Sequence, residues 1–191
     1  MSYRRCTKSA AALFLLIGAI LVIATHSAAQ SLPPDLSQLR LVAVTPIVDD
    51  VGMRDDLARW ATIRLTALLS RRGVHLVPAA QVELELREAG LRARDLLSLA
   101  ATETVARRLG ADAVLSGRLV TADSEGGRMG NPERIPSEST VTFALRLMVV
   151  PTRELSYSAV TGYGVGVIPG LVRAADRALQ QYVDLWPATL P

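Results

Sequence analysis

The sequence predicts a single α/β domain, with a mixed sheet of about five strands in the order β-α-β-α-α-β-β-β-α. Three observations predict it. Between residues 39 and 121, short apolar runs rich in β-branched residues alternate with stretches of helical period, as crossover-linked parallel strands require. Two alternating runs, 138–150 and 155–166, are joined by Pro151–Glu154, a connection that permits only antiparallel pairing. An amphipathic stretch, 170–186, then closes the chain.

The elements follow in order. Leu39–Ile47 is an apolar run that reads as a buried first strand ending at Pro46. Asp49, Asp50 and Gly52 form a turn, and from 53 to 72 the period becomes helical. Leu57, Ala61, Leu65 and Leu68 stack on one face there, widened by Trp60, Ile63 and Ala67. Asp55 and Asp56 at the start and Arg71 and Arg72 at the end suit the helix dipole, and Gly73 stops the helix.

Val74–Val77 reads as a short second strand before Pro78, and Ala79–Ala89 as a helix ended by Gly90. Residues 95–109 read as another helix, with Asp95 as N-cap and Gly110 as C-cap. Leu96, Leu99 or Ala100, and Val105 or Ala106 are its inward positions. Ala111–Thr121 is the third strand, and the opening stretch should pair in parallel. Residues 123–137 carry three Gly and two Pro among polar residues, a surface loop. In 138–150, Val141, Phe143, Leu145, Leu147 and Val149 face one way, and Thr142, Ala144 and Arg146 the other. In the last helix Pro169 suits the first turn, and Leu171, Ala175, Leu179, Tyr182 and Trp186 form the inward stripe.

Ahead of this domain, Arg4, Arg5 and Lys8 precede the apolar run 10–24, and Ser27-Ala28-Ala29 supplies small residues for cleavage. Residues 1–29 therefore read as a secretory signal peptide, with an uncleaved inner-membrane anchor as the alternative. Residues 30–38, with Pro33 and Pro34, read as a linker, 39–186 as the α/β domain, and 187–191 as a tail. The expected location is the bacterial periplasm.

The leader also takes most of the reactive chemistry with it. It holds three of the 21 basic residues, the single Cys (Cys6) and one of two His (His26). Eighteen basic residues then face eighteen acidic ones, and no Lys or Cys remains. A neutral domain lacks the electrostatic footprint of a nucleic-acid binder. Thiol catalysis, Schiff bases and a phosphate-loop lysine are excluded.

Several stretches occur together in a recognisable order. Leu41-Val42-Ala43-Val44-Thr45-Pro46 precedes a helix ending Leu68-Leu69-Ser70-Arg71-Arg72-Gly73. Ala106-Arg107-Arg108-Leu109-Gly110-Ala111-Asp112-Ala113-Val114-Leu115-Ser116-Gly117 then runs from a helix end into a strand closing on Gly. A long hairpin and a C-terminal helix follow. Over residues 39–186 this resembles the α/β domain of bacterial envelope assembly proteins. These include the curli-secretion lipoproteins (CsgG-like), the amino-terminal domain of the Tol-system propeller protein (TolB-like) and LpoB-type activators of penicillin-binding proteins.

The resemblance implies a non-catalytic accessory or adaptor domain that contacts envelope proteins, whose identity it leaves open, and that could pair with its own copies. Two departures stand out. Cys6 precedes the apolar core of the leader, where a lipid-bearing Cys would follow it. The segment 123–137 is too polar, short and Gly/Pro-broken for the spanning hairpins of a curli-type pore.

Candidate sites are few. His75, between Val74 and Leu76, reads as structural. Thr161-Gly162-Tyr163-Gly164-Val165-Gly166 looks like a nucleotide-binding glycine loop but follows the last strand, where Gly more simply marks a bulge or close packing. Asp49, Asp50, Asp55 and Asp56 could hold Ca²⁺ or Mg²⁺. Turn formation and helix capping account for all four, so no metal or other cofactor is favoured. A small-ligand or divalent-cation-binding protein using this acidic turn is the alternative function. Glu83, Glu85 and Glu88 read as a solvated helix face, and no catalytic constellation is expected. Arg146, Tyr157 and Tyr163 on the hairpin are the interface candidates, being residue types enriched in contact hot spots.

Overall fold

The computed structural model describes residues 36, 39–52, 54–124 and 138–187. The signal-peptide expectation for 1–29, nearly all of the linker expectation for 30–38, most of the loop expectation for 123–137 and most of the tail expectation for 187–191 fall outside the described residues.

The elements are β1 (Val42–Val44), β2 (Val48–Asp49), α1 (Asp55–Arg71), α2 (Ala79–Glu88) and α3 (Leu99–Leu109). After these come β3 (Ala113–Ser124), β4 (Glu138–Val149), β5 (Glu154–Val165) and α4 (Ile168–Asp184). The open mixed sheet runs β1-β3-β4-β5, with β2 also lying along β3. β1 and β2 pair with β3 in parallel, and β3, β4 and β5 are antiparallel neighbours. This is the expected class with its C-terminal hairpin and helix.

Two of the five strands arise differently from expectation. The first apolar run is not one strand. Pro46 has no N–H to donate, and the Ile47 N–H turns to the Thr62 Oγ1 of α1 (2.9 Å). The chain therefore leaves β3 after Thr45 and rejoins it as β2, opposite Arg118 and Leu119. Val74–Val77 shrinks to a single bridge, Val42 opposite Leu76. Gly73, at φ 81°, and Pro78, which opens α2, leave room for only one pair of ladder bonds, between Val42 and the His75 carbonyl and Val77 N–H.

The helix expected from Asp95 is also divided. Ser98 is extended (φ −77°, ψ 133°) and its Oγ accepts from the Ala101 N–H, so Ser98 is the cap of α3. Asp95 instead accepts the Arg92 N–H (2.7 Å) and anchors a separate 3-10 turn, Ala93–Leu97. Gly110 ends α3 in the left-handed region (φ 63°) as the sequence indicates. Asp112 then accepts the N–H groups of Arg40 and Leu41, tying the approach to β1 against the start of β3.

The two sheet faces carry separate cores. On one, α1 and α4 cover Val42, Val44, Leu115, Leu119, Phe143 and Leu145 with Leu65, Leu69, Leu171 and Leu179. Tyr182 and Trp186 meet edge to face there, with ring centroids 6.2 Å apart. Ile63, expected to widen this contact, is 67% exposed, because its position on α1 lies outside the buried stripe through Ala61, Leu65 and Leu68. On the other face, α2, α3 and the 3-10 turn cover Ala43 and Val114 with Val82, Leu86, Leu96, Val105 and Ala106. Leu99 and Ala100, alternatives among the expected inward positions, are exposed. No helix among the described residues is long and apolar enough to cross a membrane.

Candidate functional site

Strand register lays the second face out in rows. Ser116, Arg146 and Tyr157 lie opposite one another across β3, β4 and β5. The next row is Arg118, Ala144 and Ala159. A bulge between Leu119 and Thr121 shifts the count by one, after which come Thr121, Thr142 and Thr161. The outermost row is Asp123, Thr140 and Tyr163.

Among the described residues the helical layer reaches only the first of these rows, and it is fastened there by Arg146. This side chain is 6% exposed, and its guanidinium donates to the Leu96 carbonyl and to Thr102 Oγ1 (2.7 Å). Arg146 thus joins β4 to the 3-10 turn and α3 from inside the domain and is not displayed on its surface. Tyr157 and Tyr163 are displayed, at 59% and 62% exposure. Between them lie the three threonines, with Thr142 and Thr161 sharing a hydroxyl hydrogen bond of 2.9 Å, and the exposed Ala159.

β5 is also the last strand in the sheet order. Among the described residues its outer edge pairs with no strand. Its twelve residues include no Pro and no Lys, and its one charged side chain is Glu154 at its start. Arg177 of α4 donates to the Tyr163 carbonyl (2.8 Å), covering one group near the far end. Natural sheets blunt such edges with Lys, Pro or bulges, because unpaired N–H and C=O groups accept another strand.

The glycine-rich stretch serves the other face of the same strand. A Cβ on Gly162 would strike the Ala174 carbonyl oxygen, and one on Gly164 the Gly170 carbonyl oxygen. These glycines let the backbones of β5 and α4 come into direct contact, as close packing requires. Ser139 completes the junction by donating to the Gly166 carbonyl (2.6 Å).

Beside the Arg146 row lies a cleft of about 450 Å³. The 3-10 turn forms one wall (Ala93, Arg94, Leu96), and β2 with Asp50 the other. The acidic turn faces this cleft, but its four carboxylates do not converge. Asp49 accepts the N–H groups of Val51 (2.9 Å) and Arg54 (2.6 Å), and Asp50 pairs with Arg118. Asp55 and Asp56 sit in the first turn of α1, where Asp56 pairs with Arg59. No group of three His, Cys, Asp or Glu among the described residues is placed to hold a metal ion. His75 is exposed, and its carbonyl serves the bridge to β1. Glu85 and Glu88 are held by Arg108 (2.6 and 3.1 Å) on the α2–α3 surface.

The sequence marked the two tyrosines and, as a ligand-binding alternative, Asp49 and Asp50 of one wall, but not the complete cleft. Its walls come from residues more than forty positions apart, and nothing in the local pattern shows that the 3-10 turn stops at the first row.

Neither a family model nor a curated protein matches the chain. Solved structures do. Lipoprotein GNA1162 from Neisseria meningitidis superposes with a TM-score of 0.53 at 21% identity, covering 65% of this chain and 83% of that one. PelC from Paraburkholderia phytofirmans, a dodecamer, superposes at 0.50 and 21% identity, covering 79% and 89%. The chain has the fold of these two proteins. The LpoB carboxy-terminal domain from Escherichia coli superposes more loosely, at 0.43 and 22% identity over 64% and 81%, and adds nothing to that statement.

Proposed function

We propose that this protein is a non-catalytic accessory or adaptor of the bacterial cell envelope. It is exported to the periplasm by residues 1–29 and acts through protein contact in an assembly or transport system. The observation that carries this reading is the edge of β5, which pairs with no strand among the described residues, together with the exposed Tyr157 and Tyr163 on that strand. A twelve-residue edge of this kind is suited to strand addition, in which main-chain hydrogen bonds give affinity and alternate side chains give selectivity. The two exposed tyrosines within it supply large, rigid contact area.

The fold shared with a lipoprotein supports an envelope role. Since PelC is a dodecamer, a second copy of this chain is one of the partners the edge could take. The neutral charge balance of residues 30–191 and the absence of Lys there favour protein over nucleic acid as the partner.

The test is affinity capture of the tagged full chain from gently solubilised envelopes, run beside a Tyr157→Lys/Tyr163→Lys variant. The expected result is a stoichiometric envelope partner, or a defined oligomer by light scattering, that is lost in the variant. Recovery of a lone monomer, or a partner retained equally by the variant, overturns the reading. The mature amino terminus from the same sample reports cleavage after Ala29.

A further inference from the structure

We propose that the cleft between the 3-10 turn and β2 binds a small monocarboxylate carried on an apolar stem. This goes beyond the contact reading and shares only Tyr157 with it. The volume, about 450 Å³, lies within the roughly 300–1,000 Å³ typical of small-molecule sites. Val48, Ala93, Leu96, Ala144 and Leu145 give it an apolar lining, which suits a hydrocarbon stem.

The charges select the head group. Both acids in the wall are already engaged, Asp49 by two backbone N–H groups and Asp50 by Arg118. Arg146 lies in the floor, spent on Leu96 and Thr102. Arg94 is exposed on the opposite wall, and among the described residues neither its guanidinium nor the Tyr157 phenol makes a hydrogen bond or ion pair. Three arginines against two aspartates leave one positive charge in excess. A guanidinium fork with no counter-charge fits a planar carboxylate with two parallel bonds. The aspartate wall opposes a second negative charge, so a dianionic phosphate is disfavoured. Such a carboxylate occurs on a free fatty acid and at the end of an apolar peptide, and both present the same chemistry.

The experiment is a titration followed by backbone amide shifts, on ¹⁵N-labelled protein purified from cells expressing the full chain. The probes are octanoate, its neutral analogue octanamide, and N-acetyl-leucyl-leucine. The expected result is saturable shifts at Arg94, Ser116, Arg118 and Tyr157 with octanoate. Octanamide should bind about tenfold more weakly, the loss of one charge-assisted interaction. Arg94→Gln should weaken octanoate by a similar factor, with the melting temperature unchanged because Arg94 supports no other group among the described residues. Tighter binding of N-acetyl-leucyl-leucine than of octanoate assigns the site to peptide ends, and the reverse order to fatty acids. The proposal is overturned if no saturable shift occurs, or if octanamide matches octanoate. It also fails if Arg94→Gln leaves octanoate affinity intact, or if the shifts lie away from the cleft-lining residues.

Discussion

The two faces of one sheet have been put to different uses. Under α1 and α4 the face is covered along β3, β4 and β5 by large apolar side chains, and at Gly162 and Gly164 even a methyl group has no room. On the opposite face, among the described residues, the helical layer ends at the Arg146 row, and beyond it the same three strands carry half-buried threonines and the exposed Ala159 and Tyr163. The first face holds the fold. The second keeps a usable surface, because its residues contribute little to stability and are therefore free to serve contact or ligand.

Substitutions should separate the faces, and the largest effect is expected at the glycines. Gly162→Val forces two backbones apart and should cost about 4 kcal/mol or more, or prevent folding, as read by chemical denaturation. Phe143→Ala on the same face should cost about 3–5 kcal/mol. Its neighbour Thr142→Ala, pointing the other way, should stay within about 1 kcal/mol, the net worth of its one hydroxyl bond. Equal costs for this pair would erase the contrast between the faces. Arg146→Ala belongs to the boundary. Losing its bonds to Leu96 and Thr102 should cost about 2–3 kcal/mol and loosen the helical layer first, visible as faster amide exchange in 93–109 than in β4.

A pH series sharpens the comparison further. Burial pushes the Tyr182 phenol well above its ordinary value, and a hydrogen bond with the Trp186 side chain offsets this slightly. A raised pKa in the folded state means stability is fully present below the unfolded value, about pH 10, and falls as pH rises past it. Melting temperature should therefore drop above about pH 10, and Tyr182→Phe should flatten that drop. Tyr157 and Tyr163 on the open face should give the smallest effect. Changing both to Ser should move stability by no more than about 0.5 kcal/mol.

Much of this arrangement was legible in the sequence, and the exceptions share a cause. The hairpin, the last helix and the inward stripe Leu171, Ala175, Leu179, Tyr182 and Trp186 follow from periods of two and 3.6, which depend only on near neighbours. The first strand was misread because the competing partner for Ile47, the hydroxyl of Thr62, lies on another element. Val74–Val77 carries strand-forming residues, but its flanking turns leave only one bridge with Val42. Arg146 had the chemistry of an exposed contact residue. What turned it inward was a carbonyl fifty positions away.

The sequence alone determined the α/β class, the element order from β3 onward, the neutral charge balance of residues 30–191 and the lack of Cys and Lys chemistry there. Those properties are sums or short-range patterns, and they do not depend on where distant segments meet. Tertiary structure alone decided that β5 ends the sheet, that the second helical layer stops one row in, and that Arg94 and Tyr157 share a cleft. Each of these follows from register and packing between segments far apart in the chain, where the free energy belongs to the pair and cannot be read from either partner.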